Sequence, residues 1–240
     1  MTEREHMSTL HIPAGGAGQF TGYLAMPAGA PKGCVAVVQE IYGVNREVRR
    51  VTDWLGSAGF AAVAPDLLWR VKPGLDFDYA DRDNARKAVG SLNPEAIAGD
   101  IVASIEALRA KADPAKAAGV GILALGWAGK FAFMAASKTA VDALVAYYPG
   151  NIDGSIELVH SAAAPQMFHF AGRDERTKPE FRRALRAAMA DRDDVEIYVY
   201  PDADHGFANR DRGEYHAASA ALADERTTGL LQRMLVRSGV

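Results

Sequence analysis

The chain has 240 residues, 49% of them hydrophobic and 24% charged, which is enough apolar material for one large core and excludes wholesale disorder. A net charge of −3 gives no electrostatic case for binding nucleic acid or an anionic membrane, and no apolar run approaches the length of a membrane span. The single cysteine, Cys34, rules out an internal disulfide framework and a cysteine-based zinc site; with a charged rather than signal-like start, a cytoplasmic protein is expected.

One domain over residues 1–240 is expected, with a polar tail over 1–7. Residues 8–13 and 19–26 alternate in character and predict the two strands of a hairpin. After a turn over 27–32, the run from Cys34 has no polar face, as in a parallel strand buried on both sides. Val48, Val51, Trp54 and Leu55 give residues 45–57 a helical period, with Gly59 as a stop, and 60–64 reads as the next buried strand. A loop with Pro73 and Gly74 fills 67–80. Helices come next over 81–89 and 94–112, the second striped by Ile97, Ile101, Ile105 and Leu108.

The apolar run 120–125 then meets small residues at Gly126, Ala128 and Gly129 and passes directly into a helix with Phe131, Phe133 and Met134. Further strands are predicted over 141–148, 166–171 and 195–200, and helices over 179–190 and 215–236. Alternating strands and helices predict an α/β fold, a doubly wound, mainly parallel sheet with helices on both faces.

In such a sheet, ligands bind beyond the carboxyl ends of the strands. Those ends deliver Glu40, Ile41 and Tyr42, then Asp66, then Gly126 and Trp127, then Tyr147 and Tyr148, then Asp174, and finally His205 and Phe207. Strand, small-residue turn and helix over 119–136 form either an ordinary junction or the nucleophile elbow of an α/β-hydrolase, whose triad runs nucleophile, acid, histidine along the chain. Asp174 and His205 stand in the second and third places. Tyr42, Trp127, Tyr148 and Phe207 are expected to wall a small cleft, core packing being the alternative for Trp127 and Tyr148. Cys34 reads as a core residue, and His11, His160 and His169 as core or surface groups. No set of histidines and carboxylates has metal-ligand spacing, so no metal is expected.

Nearly the whole chain resembles the dienelactone hydrolase family of α/β-hydrolases, the carboxymethylenebutenolidase-like enzymes. VVQEIYGVN is similar to that family's first active-site strand and glutamate, and SAGFAAVAPDLLWR to its second central strand and following loop. FHFAGRDERTKP is similar to its triad-acid segment, DADHGFANR to its triad-histidine segment, and YHAASAALADERTTGLL to its closing helix. The resemblance implies hydrolysis of an enol-lactone or small carboxylic ester through a cysteine nucleophile, without a cofactor. By that resemblance Asp174 is the triad acid, His205 the base, and Glu40 the glutamate that contacts the nucleophile. The amides of Ile41 and Trp127 form the oxyanion hole, and Arg82 and Arg210 hold a substrate carboxylate, with Asn209 competing for the second place.

The departure lies at the elbow. The family reads Gly-x-Cys-x-Gly-Gly where this chain reads Ala124-Leu125-Gly126-Trp127-Ala128-Gly129, and no Ser, Cys or Thr occurs between Gly119 and Ala136. A covalent acyl-enzyme at Gly126 is therefore excluded. Two expectations remain: hydrolysis of a lactone or small ester by water that His205 activates, or a catalytically inactive pseudoenzyme that binds a small ester or carboxylate. The expected partner is that small molecule, with no nucleic acid and no membrane, and the chain is expected as a monomer or weak homodimer.

Overall fold

A run such as Cys34–Val38, apolar at every position, is stable only as a strand covered on both faces. In the computed structural model it is β3, fully buried near the middle of an eight-stranded sheet. The structure describes residues 7–112, 119–150, 152 and 154–236. Before β3 come β1 (Met7–Pro13) and β2 (Gln19–Ala25); after it come α1 (Arg46–Ser57), β4 (Ala61–Pro65), α2 (Arg82–Gly90) and α3 (Pro94–Lys111). The second half contains β5 (Val120–Leu125), α4 (Gly129–Ala136), β6 (Ala143–Tyr147), α5 (Ile156–Ser161), β7 (Gln166–Ala171), α6 (Pro179–Ala188), β8 (Val195–Tyr200) and α7 (Ala217–Leu235).

Across the sheet the order is β1-β2-β4-β3-β5-β6-β7-β8. The β1–β2 hairpin is antiparallel, as is β2 against β4, and every other neighbouring pair is parallel. Side chains alternate between two apolar layers, as the strand period of two requires. Ala36, Val38, Ile122 and Ala124 pack beneath α3 and α4, while Val35, Val37, Leu123 and Leu125 pack beneath α1 and α7. The helices are started by specific caps. The Asn45 side chain accepts the Val48 N–H at 3.1 Å, and Asn93 accepts those of Glu95 and Ala96 ahead of Pro94.

This topology places the site. From β3 the chain winds to β4 on one side and later crosses to β5 on the other, so the crossovers diverge between β3 and β5 and leave a crevice at their carboxyl ends. Glu40 comes just after β3, and Gly126 just after β5.

Several boundaries differ from the sequence expectation. Residues 1–6 of the expected tail lie outside the described residues, and Met7 already belongs to β1. The strand expected over 141–148 is shorter at both ends. Asp142 uses its carboxylate to accept the Val120 N–H at 2.7 Å, and Tyr148 leaves the ladder with φ +36°. The last helix starts at Ala217, because His216 serves as its cap, accepting the Ser219 N–H at 3.3 Å. α5, one and a half turns long, has too short a period to be read from sequence. Among the described residues no helix is long and apolar enough to cross a membrane.

Candidate active site

Gly126 lies at the apex of the turn between β5 and α4, with φ +52°, a conformation that glycine adopts without steric cost. The turn is pinned from the next strand's loop. The Gly150 N–H donates to the Gly126 carbonyl at 2.7 Å, and a Cβ on Gly129 would stand 2.7 Å from the Cβ of Pro149. Glu40 faces the apex: its Oε1 is 3.2 Å from the point where a Cβ on Gly126 would stand.

Glu40 is itself buried, 5% exposed, so its carboxylate needs partners. Asn209 Nδ2 donates to Oε2 at 3.2 Å, and Arg212 Nη1 lies 3.8 Å from Oε1. The same Asn209 amide reaches the Tyr79 hydroxyl at 2.8 Å, which also receives Asn45 Nδ2 at 3.0 Å. Tyr79 belongs to the long loop after β4, which is held down at Asp66, where the carboxylate accepts the N–H groups of Leu68 and Gly74. The loop's Phe77 N–H also donates to the Tyr42 carbonyl at 3.0 Å.

Asp174 and His205, beyond β7 and β8, are joined by a 2.7 Å contact between Oδ2 and Nδ1. Because a carboxylate accepts there, Nδ1 carries the proton and Nε2 is free to take one. The other Asp174 oxygen accepts the Arg176 N–H at 2.9 Å. Burial pushes the Asp174 carboxyl up, but the hydrogen bond and charge of His205, with the Arg176 N–H and guanidinium, outweigh it and hold the group below its ordinary value. The imidazole rests on Tyr148, with ring centres 5.2 Å apart, and Tyr148 in turn rests on Phe207 at 5.6 Å. Holding Tyr148 at φ +36° costs about 1–3 kcal/mol, and its N–H bond to the His169 carbonyl at 2.7 Å helps to keep it there.

These groups open on a cleft of about 310 Å³ lined by Glu40, Ile41, Tyr42, Trp127, His205 and the arginines Arg82, Arg86, Arg176 and Arg212. The Ile41 N–H makes no hydrogen bond with a described residue, so a ligand oxygen can take it. The structure thus brings together Glu40, Ile41, Tyr42, Arg82, Trp127 and His205, with Asp174 directly behind the histidine and Gly126 beside the glutamate.

Two expectations about the cleft, Phe207 as a wall and Arg210 as a carboxylate holder, are corrected, and the open alternative for Tyr148 falls to core packing. Tyr148 and Phe207 are 2% and 0% exposed and lie behind His205 rather than along the cleft, since the apolar layer under α7 claims both rings. Arg210 is exposed and outside the cleft; the turn after Asn209 carries the chain round so that Arg212 faces inward instead. Sequence reasoning passed over Arg86, although it lies one helical turn after Arg82. It also passed over Arg176, two residues past the acid, and over Tyr79, for which the irregular loop gave no signal.

The remaining candidates lie elsewhere. Cys34 opens β3 at the opposite end of the sheet, and burial pushes its thiol up to about 11. His169 is buried in a polar seam, with Nδ1 on the Tyr200 hydroxyl at 2.9 Å and Nε2 on Thr227 Oγ1 at 3.0 Å. His11 is an exposed residue of β1, and His160 is half-exposed, with Nε2 3.8 Å from an Asp191 oxygen. Among the described residues no group of three or more metal-ligating side chains gathers.

The sequence pattern of the dienelactone hydrolase family matches residues 20–235. The chain belongs to the dienelactone hydrolase family. A candidate carboxymethylenebutenolidase of Azospirillum brasilense is 34% identical over 232 residues, covering 95% of this chain and all of that one. The carboxymethylenebutenolidase of Pseudomonas putida is 33% identical over 215 residues, 88% of this chain and 90% of its own. The crystal structure of a candidate dienelactone hydrolase of Klebsiella pneumoniae superposes with a TM-score of 0.79 at 24% identity, covering 93% of this chain and 97% of that one. The fold is accordingly that of the α/β-hydrolases. Within it, Gly126 stands at the turn between β5 and α4.

Proposed function

We propose that this protein hydrolyses a lactone or small carboxylic ester by direct attack of water, with His205 as the base. The observation that carries the reading is the 2.7 Å Asp174–His205 pair opening on the same cleft as Glu40 and the Ile41 amide, beside an apex that is glycine.

The chemistry derives from that arrangement. Asp174 keeps the imidazole in the Nδ1–H tautomer, so Nε2 takes a proton from water while the water oxygen bonds to the substrate carbonyl carbon. The Ile41 and Trp127 N–H groups donate to the oxyanion that forms. The tetrahedral intermediate collapses by breaking the bond to the leaving oxygen, which receives the proton back from His205. The products are an alcohol and a carboxylic acid, which gives its remaining proton to solvent and becomes a carboxylate; the two are joined in one molecule when the substrate is a lactone. Arg82 and Arg212, which line the same cleft, hold a carboxylate elsewhere on the substrate. Glu40 steadies Arg212 and is the acidic group nearest the apex. Without the covalent route, an oxyanion hole and bound geometry can still supply roughly 10³–10⁴ over water.

The absence of a side chain at Gly126 favours a second reading, a pseudoenzyme that binds a small ester or carboxylate without turning it over. The two are separated by screening the purified protein against small esters and lactones alongside His205→Ala. Turnover that disappears in the variant supports hydrolysis, and saturable binding without turnover supports the binder.

A further inference from the structure

The cleft contains more positive charge than one carboxylate needs. Four guanidinium groups line it, and among the described residues only one of them has a carboxylate within 4.0 Å: Arg212, 3.0 Å from Glu214 and 3.8 Å from Glu40. Arg82, Arg86 and Arg176 make no ion pair and no side-chain hydrogen bond with a described residue. Asp174, the other acid nearby, is committed to His205. Arg82 and Arg86 lie one turn apart on α2, on the face that borders the cleft, while Arg176 reaches it from the loop after β7. The like charges act on one another: burial, then the guanidinium of Arg82, and those of Arg212 and Arg86, hold Arg176 below its ordinary value. Asp174 offsets part of this repulsion on Arg176, but its carboxylate is already paired with His205, so an anion from outside the chain relieves the rest.

Taking this cleft as the substrate site proposed above, we propose that Arg86 and Arg176 form a second anion subsite beside the Arg82–Arg212 pair, so that the favoured ligand is a small dianion. Two carboxylates, or a carboxylate with a phosphate or phosphonate group, share the required chemistry. A monoanion leaves most of the cationic rim uncompensated, whereas a dianion offsets more of it. Arg86 and Arg176 are exposed, so their share is screened by salt and fades as ionic strength rises.

The test is calorimetric titration of the full chain with propionate, succinate and 3-phosphonopropionate at low salt, with hydrolysis of a neutral ester monitored in parallel. We expect at least one of the two dianions to bind about five-fold or more tightly than propionate. Arg86→Gln and Arg176→Gln should each cut that ratio by at least half while leaving propionate affinity within about two-fold. Arg183→Gln, which removes an exposed partner of Glu180 on α6, should leave the ratio unchanged. A smaller ratio in the parent, or a ratio that survives both cleft substitutions, overturns the second subsite. His205-dependent ester turnover without dianion preference refutes the subsite and leaves the hydrolase reading standing. Dianion preference without turnover does the reverse.

Discussion

Glu40 Oε1 stands 3.2 Å from where a Cβ on Gly126 would be, so the residue nearest the elbow apex is an acid rather than the histidine's hydroxyl or thiol partner. On the proposed reading, Gly126→Cys is expected to create a nucleophile beside the Asp174–His205 pair, with a few tenths of an ångström of movement asked of Glu40. A side chain at φ +52° adds about 1–2 kcal/mol of strain, so the variant should melt several degrees lower yet fold. With an activated ester it should show a burst, larger for cysteine than for Gly126→Ser, because a neighbouring imidazole readily yields a thiolate. A folded Gly126→Cys with neither burst nor turnover would favour the binder.

Asp174→Asn keeps the shape of the pair but favours the wrong imidazole tautomer, and is expected to lower kcat by roughly 10²–10⁴ with little change in KM. The same substitution has a pH signature. The folded Asp174 carboxyl titrates below its ordinary value, so the stability it lends is complete above the unfolded value near pH 4 and is lost as pH falls through the folded one. Urea melts from pH 7 to pH 3 should find the stability difference between parent and variant narrowing at the acid end.

His169 predicts a second acid limb. Burial first, then the charge of Arg226, drives its imidazole from 6.5 down to about 3, so it stays neutral in the fold between those values while the unfolded chain takes up a proton. Folding therefore loses stability as pH falls through this window, by roughly 3–5 kcal/mol in all. His169→Gln, able to keep one bond of the Tyr200–Thr227 seam, should be less stable at pH 7 and show a flatter decline between pH 6.5 and 3 in the same melts. A parallel decline would contradict this.

Gly129→Ala tests how the elbow is held. Its Cβ would stand 2.7 Å from the Cβ of Pro149, a ring that cannot swing aside as a flexible side chain would. A loss of about 1–3 kcal/mol is expected. Since the shift falls two residues from Trp127, kcat/KM for any turned-over ester should drop further than stability alone explains.

The strand ends were legible because buried parallel strands announce themselves, and each candidate site residue lies past one: Glu40 after β3, Gly126 after β5, Asp174 after β7 and His205 after β8. Residues farther along the connecting loops were not legible. That Arg212, rather than Arg210 or Asn209, lines the cleft depends on how an irregular turn rolls, and sequence has no period there to reveal it. Tyr148 and Phe207 were placed on the correct edge, but an aromatic ring near a cleft can face ligand or core, and the apolar layer beneath α7 decided for the core. Tyr79 reaches Asn209 only because a loop with no regular pattern is tied down at Asp66 and Tyr42.

The central claim, water activated by His205 with no acyl-enzyme, is tested most directly by rapid mixing of the parent protein with p-nitrophenyl acetate at enzyme concentrations near those of the ester. The account predicts linear release of nitrophenolate from the first turnover, with no burst, and its loss in His205→Ala. A burst stoichiometric with protein, or release equal in parent and His205→Ala, would contradict it.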